Sequence, residues 1–87
     1  MELIYPVIIE TDEEGGYSGF FPDLPGCAAA GDTIKECLAD AVKALALHLA
    51  GMVEEGEAFP EPTRLRNVKA DPDVRVADIL LVSAAIA

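Results

Sequence analysis

By residue type, Cys27, Cys37 and the single histidine, His48, are the groups of this 87-residue chain most able to do covalent or metal chemistry. A thiol beside an imidazole is the beginning of a cysteine hydrolase, in which the ring takes the proton from the attacking sulfur. That chemistry also needs a third group to orient the ring, and nothing in the sequence identifies one for His48, which stands between Leu47 and Leu49. As metal ligands the same residues are three soft donors at irregular spacing, short of a tetrahedral zinc set. The alternatives are structural. Cys27 reads as a small buried hydrophobe, and His48 as a half-buried ring hydrogen-bonded within the fold or at a subunit contact. No catalytic residue, metal or cofactor is expected.

Carboxylates are the other chemical resource. The chain has 16 acids against 6 bases, a formal charge of −10. Such a field repels a phosphate backbone, so the chain is not expected to bind DNA directly; a basic protein is the partner that it would steer and hold. Asp12, Glu13 and Glu14 form one acidic run, readable as a solvated turn or as a steering patch. Asp23 lies in "FPDLPGC", residues 21 to 27, where Pro22 and Pro25 fix φ and remove donors while Gly26 frees the turn back. Its carboxylate either accepts N–H bonds within that turn or faces a basic partner. A two-metal nuclease would need several converging acids, and "LIYPVII" offers none in its middle.

The elements that must position these groups are few. "LIYPVII", residues 3 to 9, is β-branched and aromatic enough for a strand, "DEEGG" has the acids and glycines of a hairpin turn, and "YSGFF" reads as the return strand. "GCAAAGDT" supplies a short third strand running into a helix, with Thr33 and Glu36 spaced as a capping box. The helix is placed from Ile34 to Glu55 and ended by Gly56. Ile34, Leu38, Ala41, Leu45, Leu49 and Met52 form its core stripe, and Ala44, Ala46 and Leu47 extend the apolar surface beyond it. "EAFPEPT" is a proline-broken linker, and the apolar tail "ADILLVSAAIA" suits a strand covered on both faces.

The expected fold class is therefore α+β with order β-β-β-α-β: one domain over residues 1 to 87, one helix packed on one face of the sheet. A helical crossover implies a last strand parallel to strand one. Pro6 conflicts with a central strand, and is expected at the strand's start or beside a bulge. The second sheet face has nothing to cover it, which predicts a homo-oligomer, a dimer or dimer of dimers. Leu47, Ile79, Leu80, Leu81 and Val82 are the candidate contacts. The longest apolar run is too short to span a membrane, and two free thiols behind a strand-like N-terminus suit a reducing cytoplasm.

Residues 5 to 63 carry, in order, an extended strand, a Gly-Tyr hairpin, F-P-D-L-P-G-C, G-D-T at a helix start and a late His-Leu pair, with "ILLV" further on. This set resembles the N-terminal domain of the HicB family of type II antitoxins. The resemblance implies a partial ribonuclease-H-like sheet without catalytic acids, oligomerisation, and tight binding to a small basic messenger-RNA-cleaving toxin, HicA. Family members commonly continue into a ribbon-helix-helix or helix-turn-helix segment, and no C-terminal DNA-binding domain is evident in residues 1 to 87. For toxin binding the candidate residues are Asp12, Glu13, Glu14 and Asp23, with Phe21 and Leu24 as apolar anchors. Two other readings remain beside it: a stand-alone acidic oligomeric binding protein, and a small hydrolase.

Overall fold

The computed structural model describes residues 1–86. Strand β1 (Glu2–Thr11) turns into β2 (Tyr17–Phe20), β3 (Ala28–Gly31) follows, and helix α1 (Ile34–Glu55) leads through a short 3-10 turn at Leu65–Asn67 to β4 (Arg75–Ala85). The four strands form one sheet in the order β3-β2-β1-β4. Every neighbouring pair is antiparallel.

Alternation along β1 sends Tyr5, Val7 and Ile9 to one face, where they are fully buried beneath Cys37, Ala41, Leu45 and Leu49 of the helix. Burying each such aliphatic side chain contributes about 1.5–3 kcal/mol, so this single cluster is the main source of stability. The helix keeps the expected boundaries. Thr33 Oγ1 accepts from the Glu36 N–H at 3.0 Å, while the Glu36 carboxylate reaches one residue further than in a standard capping box, to the Asp32 N–H at 3.0 Å. At the other end Gly56, at φ 71°, lets its own N–H reach the Val53 carbonyl and that of Glu57 the Met52 carbonyl. Gly31 is required for a different reason: a Cβ there would collide with the backbone of Glu36 and Cys37, where β3 meets the first turn of the helix.

β1 is central, as expected, but β4 runs antiparallel to it, with Arg75 opposite Thr11 and Ala85 opposite Glu2. The parallel crossover expected from the element order does not form. Helix α1 carries the chain about 33 Å away from the Thr11 end, and residues 57 to 74 are long enough to bring it back before β4 begins. β4 is also an edge strand, not one covered on both faces, and most of its residues are exposed. Pro6 lies in mid-strand opposite Leu81, away from the bulge at Ile9/Glu10. It is tolerated because β2 pairs only with Ile8–Thr11, so one flank of β1 has no ladder at Pro6 for a missing N–H to interrupt.

The connection after the helix is fastened rather than loose. Tyr5 Oη donates to the Pro60 carbonyl at 2.7 Å, and Thr63 donates to Asp23 twice, from its N–H at 2.9 Å and its hydroxyl at 2.6 Å. Phe59, just before the first tie, packs against the core.

Candidate functional site

The hairpin tip projects from the end of the sheet where β1 passes into β2. Asp12 shapes it: its Oδ1 accepts the N–H of Glu14 at 2.9 Å and of Gly16 at 3.1 Å, and Gly15, at φ 89°, makes the reversal. Glu13 and Glu14 remain exposed and make no hydrogen bond through their side chains among the described residues. The helix N-terminus lies at the same end. Asp32, Glu36 and Asp40 therefore line, with Asp12, Tyr17 and Lys43, one open cleft between the hairpin and the helix. Sequence reasoning missed this continuation of the acidic surface. Its signal was present in the spacing, since Glu36 and Asp40 stand four residues apart on one face of the helix and Asp32 immediately precedes the cap.

Asp40 has a second task. Its Oδ2 accepts the Ala30 N–H at 3.0 Å, which occupies one backbone donor of the edge strand β3.

The FPDLPGC loop departs from the expected site. Phe21 and Leu24, expected as surface anchors, are 3% and 1% exposed. They face inward because the loop folds over the half of the core that β2 leaves uncovered, held by bonds from the Leu24 N–H to the Phe21 carbonyl and from the Cys27 N–H to the Leu24 carbonyl. Asp23 neither caps its own turn nor stands free: both oxygens are taken by Thr63. Of the expected contact set, Asp12, Glu13 and Glu14 stand at the exposed tip, and Phe21, Asp23 and Leu24 build the fold beside the strap.

The oligomer candidates also divide. Leu47 is 75% exposed and Leu81 55%, whereas Val82 is buried on the helix side; Ile79 and Leu80 are half-buried on opposite faces of β4.

Nucleophilic chemistry finds no support in the geometry. Burial pushes the Cys27 thiol up from its ordinary pKa, and the Cys37 thiol is pushed up by burial and then by the Asp40 carboxylate, the reverse of what an attacking thiolate needs. His48 lies in a shallow groove with Leu47, Gly51, Met52 and Glu55, and Cys27 does not line it. Among the described residues no cluster of three or more His, Cys, Asp or Glu could hold a metal ion, and no helix is long and apolar enough to cross a membrane.

The chain is 37% identical over 78 residues to Antitoxin HicB 1 of Photorhabdus laumondii, covering 90% of this chain and 50% of that protein. It spans about half the length of the curated relatives it matches. A chain of a HicA3 and HicB3 toxin-antitoxin complex superposes with a TM-score of 0.70 at 29% identity, covering 92% of this chain and 95% of the other. A chain of a toxin-antitoxin complex from Streptococcus pneumoniae gives a TM-score of 0.80 at 24% identity, over 95% of this chain and 69% of that one, a likeness of fold. The sequence model of the HicB-like antitoxins of bacterial toxin-antitoxin systems matches residues 5–87, and the chain belongs to that family.

Proposed function

We propose that this protein is the antitoxin of a toxin-antitoxin pair, and that it neutralises a small basic ribonuclease of the HicA type by covering the surface that grips RNA. The observation that carries the reading is the family match over residues 5–87. A toxin that holds RNA presents cations where phosphates lie, and an acidic folded partner meets those cations while excluding the substrate. The contact surface in this reading is the acidic end of the molecule: Glu13 and Glu14 at the tip, Asp12 beneath them, and Asp32, Glu36 and Asp40 along the adjoining cleft. Inhibition is by occupancy, without catalysis, in the cytoplasm, and residues 1–87 take no direct part in DNA binding. A partial ribonuclease-H-like origin for the sheet belongs to the same reading. The strand order and the acid-free middle of β1 support it, and the antiparallel β4 departs from it.

The test is co-expression with the product of the adjacent gene, followed by titration of the purified partner's RNA cleavage. Cleavage should fall linearly and end at a fixed stoichiometric ratio, with a complex that co-purifies. One antitoxin chain inactivating many toxin molecules would overturn occupancy, and a folded protein that forms no complex with the basic neighbour would overturn the antitoxin reading.

A further inference from the structure

The sheet face opposite the helix, expected to be bare, is covered in part. Side chains that point away from α1 differ in exposure along it: Ile4 and its diagonal neighbour Leu81 are 45% and 55% exposed, whereas Ile8 is 7% exposed and Pro6 is fully buried. Ile8 stands apart from the helix-side core. Phe20 lies opposite Ile8, but β2 ends there, so no residue of that strand reaches Pro6.

The path of the chain after the helix supplies the cover. Thr63 is bonded to Asp23, in the loop that links β2 to β3, and the 3-10 turn that follows at Leu65–Asn67 lies against β4. β1 stands between β2 and β4 in the sheet. Because α1 occupies one face, the chain passes β1 on the other, where two inter-strand spacings of about 4.8 Å are spanned by about three extended residues. Val68 and Ala70 of this segment are half-buried, like Ile79 opposite Ile8.

Beyond Thr63 the cover is lightly held. Among the described residues, 64 to 74 hydrogen-bond only to one another, as from the Asn67 N–H to the Arg64 carbonyl at 2.8 Å and from the Asp73 N–H to the Asp71 carboxylate at 2.9 Å. Arg64, Arg66 and Lys69 are exposed, and no acid stands between Thr63 and Ala70 to pair with them. The firm attachments lie at the two ends: Tyr5 to Pro60 and Asp23 to Thr63 before the segment, and the ladder of β4 on β1 after it. A stretch fixed at both ends and loose between opens at less cost than unfolding the molecule.

We infer that residues 64 to 74 form a lid over the sheet face opposite the helix, latched by the Asp23–Thr63 pair, and that lifting it uncovers Pro6 and Ile8 while the helix and sheet stay folded. With the lid shut the chain shows only the Ile4 and Leu81 corner of that face. With it lifted, a surface without any charged side chain runs on to Ile8 and Ile79. The latch thus sets how much apolar surface the free chain presents. This inference does not rest on the antitoxin reading, since latch, lid and face all belong to the one chain.

Thiol labelling of the full chain carrying Ile8→Cys, with each cysteine resolved by mass spectrometry, tests it. Native Cys37, fully buried under the helix, reports global unfolding in the same molecules. In low urea the thiol at position 8 should react at least tenfold faster than Cys37 and change little with urea, because lifting the lid exposes little surface. Labelling of Cys37 should accelerate steeply with urea. Adding Asp23→Ala should speed position 8 about tenfold, and Thr63→Val, which keeps the N–H bond and loses the hydroxyl's, should speed it less. Should Asp23→Ala fail to fold by circular dichroism, Thr63→Val carries the comparison. Labelling at position 8 as fast as that of a free thiol would show the face to be bare, and a urea dependence equal to that of Cys37 would show that opening is global; either result overturns the lid. No acceleration in a folded latch variant would overturn the latch.

Discussion

Two turns of this molecule, Asp12–Gly16 and Phe21–Cys27, both place an aspartate among chain-reversing residues, yet they serve opposite ends. In the first, Asp12 spends one oxygen on the turn's own N–H groups, and Glu13 and Glu14 are left in water. In the second, Asp23 reaches 40 residues along the chain to Thr63, and Phe21 and Leu24 close the core. An acid's neighbours decide which role it takes. Acids flanked by acids and glycines have nothing to bury and remain a surface, whereas an acid flanked by Phe21, Leu24 and two prolines is carried against the core by the apolar residues around it.

Cutting away one of those apolar residues should give the largest effect. Leu24→Ala removes a side chain that is 1% exposed and leaves a cavity under the loop, a change costing about 2–5 kcal/mol. Urea denaturation should show the midpoint falling accordingly. A loss below about 1 kcal/mol would mean that the loop collapses to fill the space, and that its packing matters less than the contrast with the tip implies.

The contrast bears on what the sequence could reveal. Helix α1 was legible to its ends because Thr33, Glu36 and Gly56 act within a few residues of themselves. The central position of β1 was expected from the family resemblance and from a crossover; the position is observed, although the parallel crossover does not form. The direction of β4 was not legible, because it depends on how residues 57 to 74 are tied down, and those ties join Tyr5 to Pro60 and Asp23 to Thr63 across long separations. Asp23 was misjudged for the same reason: local spacing offers it turn N–H groups and gives no sign of a distant threonine. The acidic tip was legible as a run, but its extension by Asp32, Glu36 and Asp40 needed the helix face and the hairpin to be seen at one end of the sheet.

Asp23→Ala should come next in size. It strips Thr63 of two part-buried hydrogen bonds, at a cost of about 1–3 kcal/mol, and frees the strap without touching the tip. Limited proteolysis should then cut first within residues 57 to 74, with cleavage there faster than in the wild type. Equal cleavage rates would show that Tyr5 and Phe59 hold the strap unaided.

Alkaline pH should loosen the same half of the molecule. Burial first, and then the Asp23 and Glu61 carboxylates, raise the pKa of the Tyr5 hydroxyl above 10.0, and burial raises the thiol of Cys27 above 9.0. Both groups are held in their neutral form by the fold. Above the unfolded-state values the unfolded chain has released protons that the native chain still binds, so the stability they contribute is complete below about pH 9 and is lost as pH rises through the native values. Thermal midpoints should fall progressively from pH 9 to pH 11. Tyr5→Phe removes the titrating hydroxyl, and its midpoint should fall less steeply over that range, although it is lower at neutral pH for want of the bond to Pro60.

The smallest effect on folding should come from the tip, where it carries the most information about function. Glu13→Ser combined with Glu14→Ser changes two exposed side chains outside the turn's hydrogen bonds, so stability should move by no more than about 0.5 kcal/mol. Asp12 is left in place because its carboxylate holds the Glu14 and Gly16 N–H groups, and its loss would mix a folding defect with a charge defect. Against a basic toxin the double variant should slow association and flatten its dependence on salt, while dissociation changes little, because exposed charges steer the encounter more than they retain the bound state. Stopped-flow mixing at several ionic strengths separates the two rates. If the variant instead dissociates faster with its association rate unchanged, Glu13 and Glu14 are buried in the complex and grip the toxin directly; if neither rate moves, the contact lies away from this end of the molecule. In the latter case Asp32→Ser with Lys35 and Lys43 retained asks whether the cleft, rather than the tip, meets the toxin, since Asp32 is exposed and binds the helix cap only through its backbone N–H.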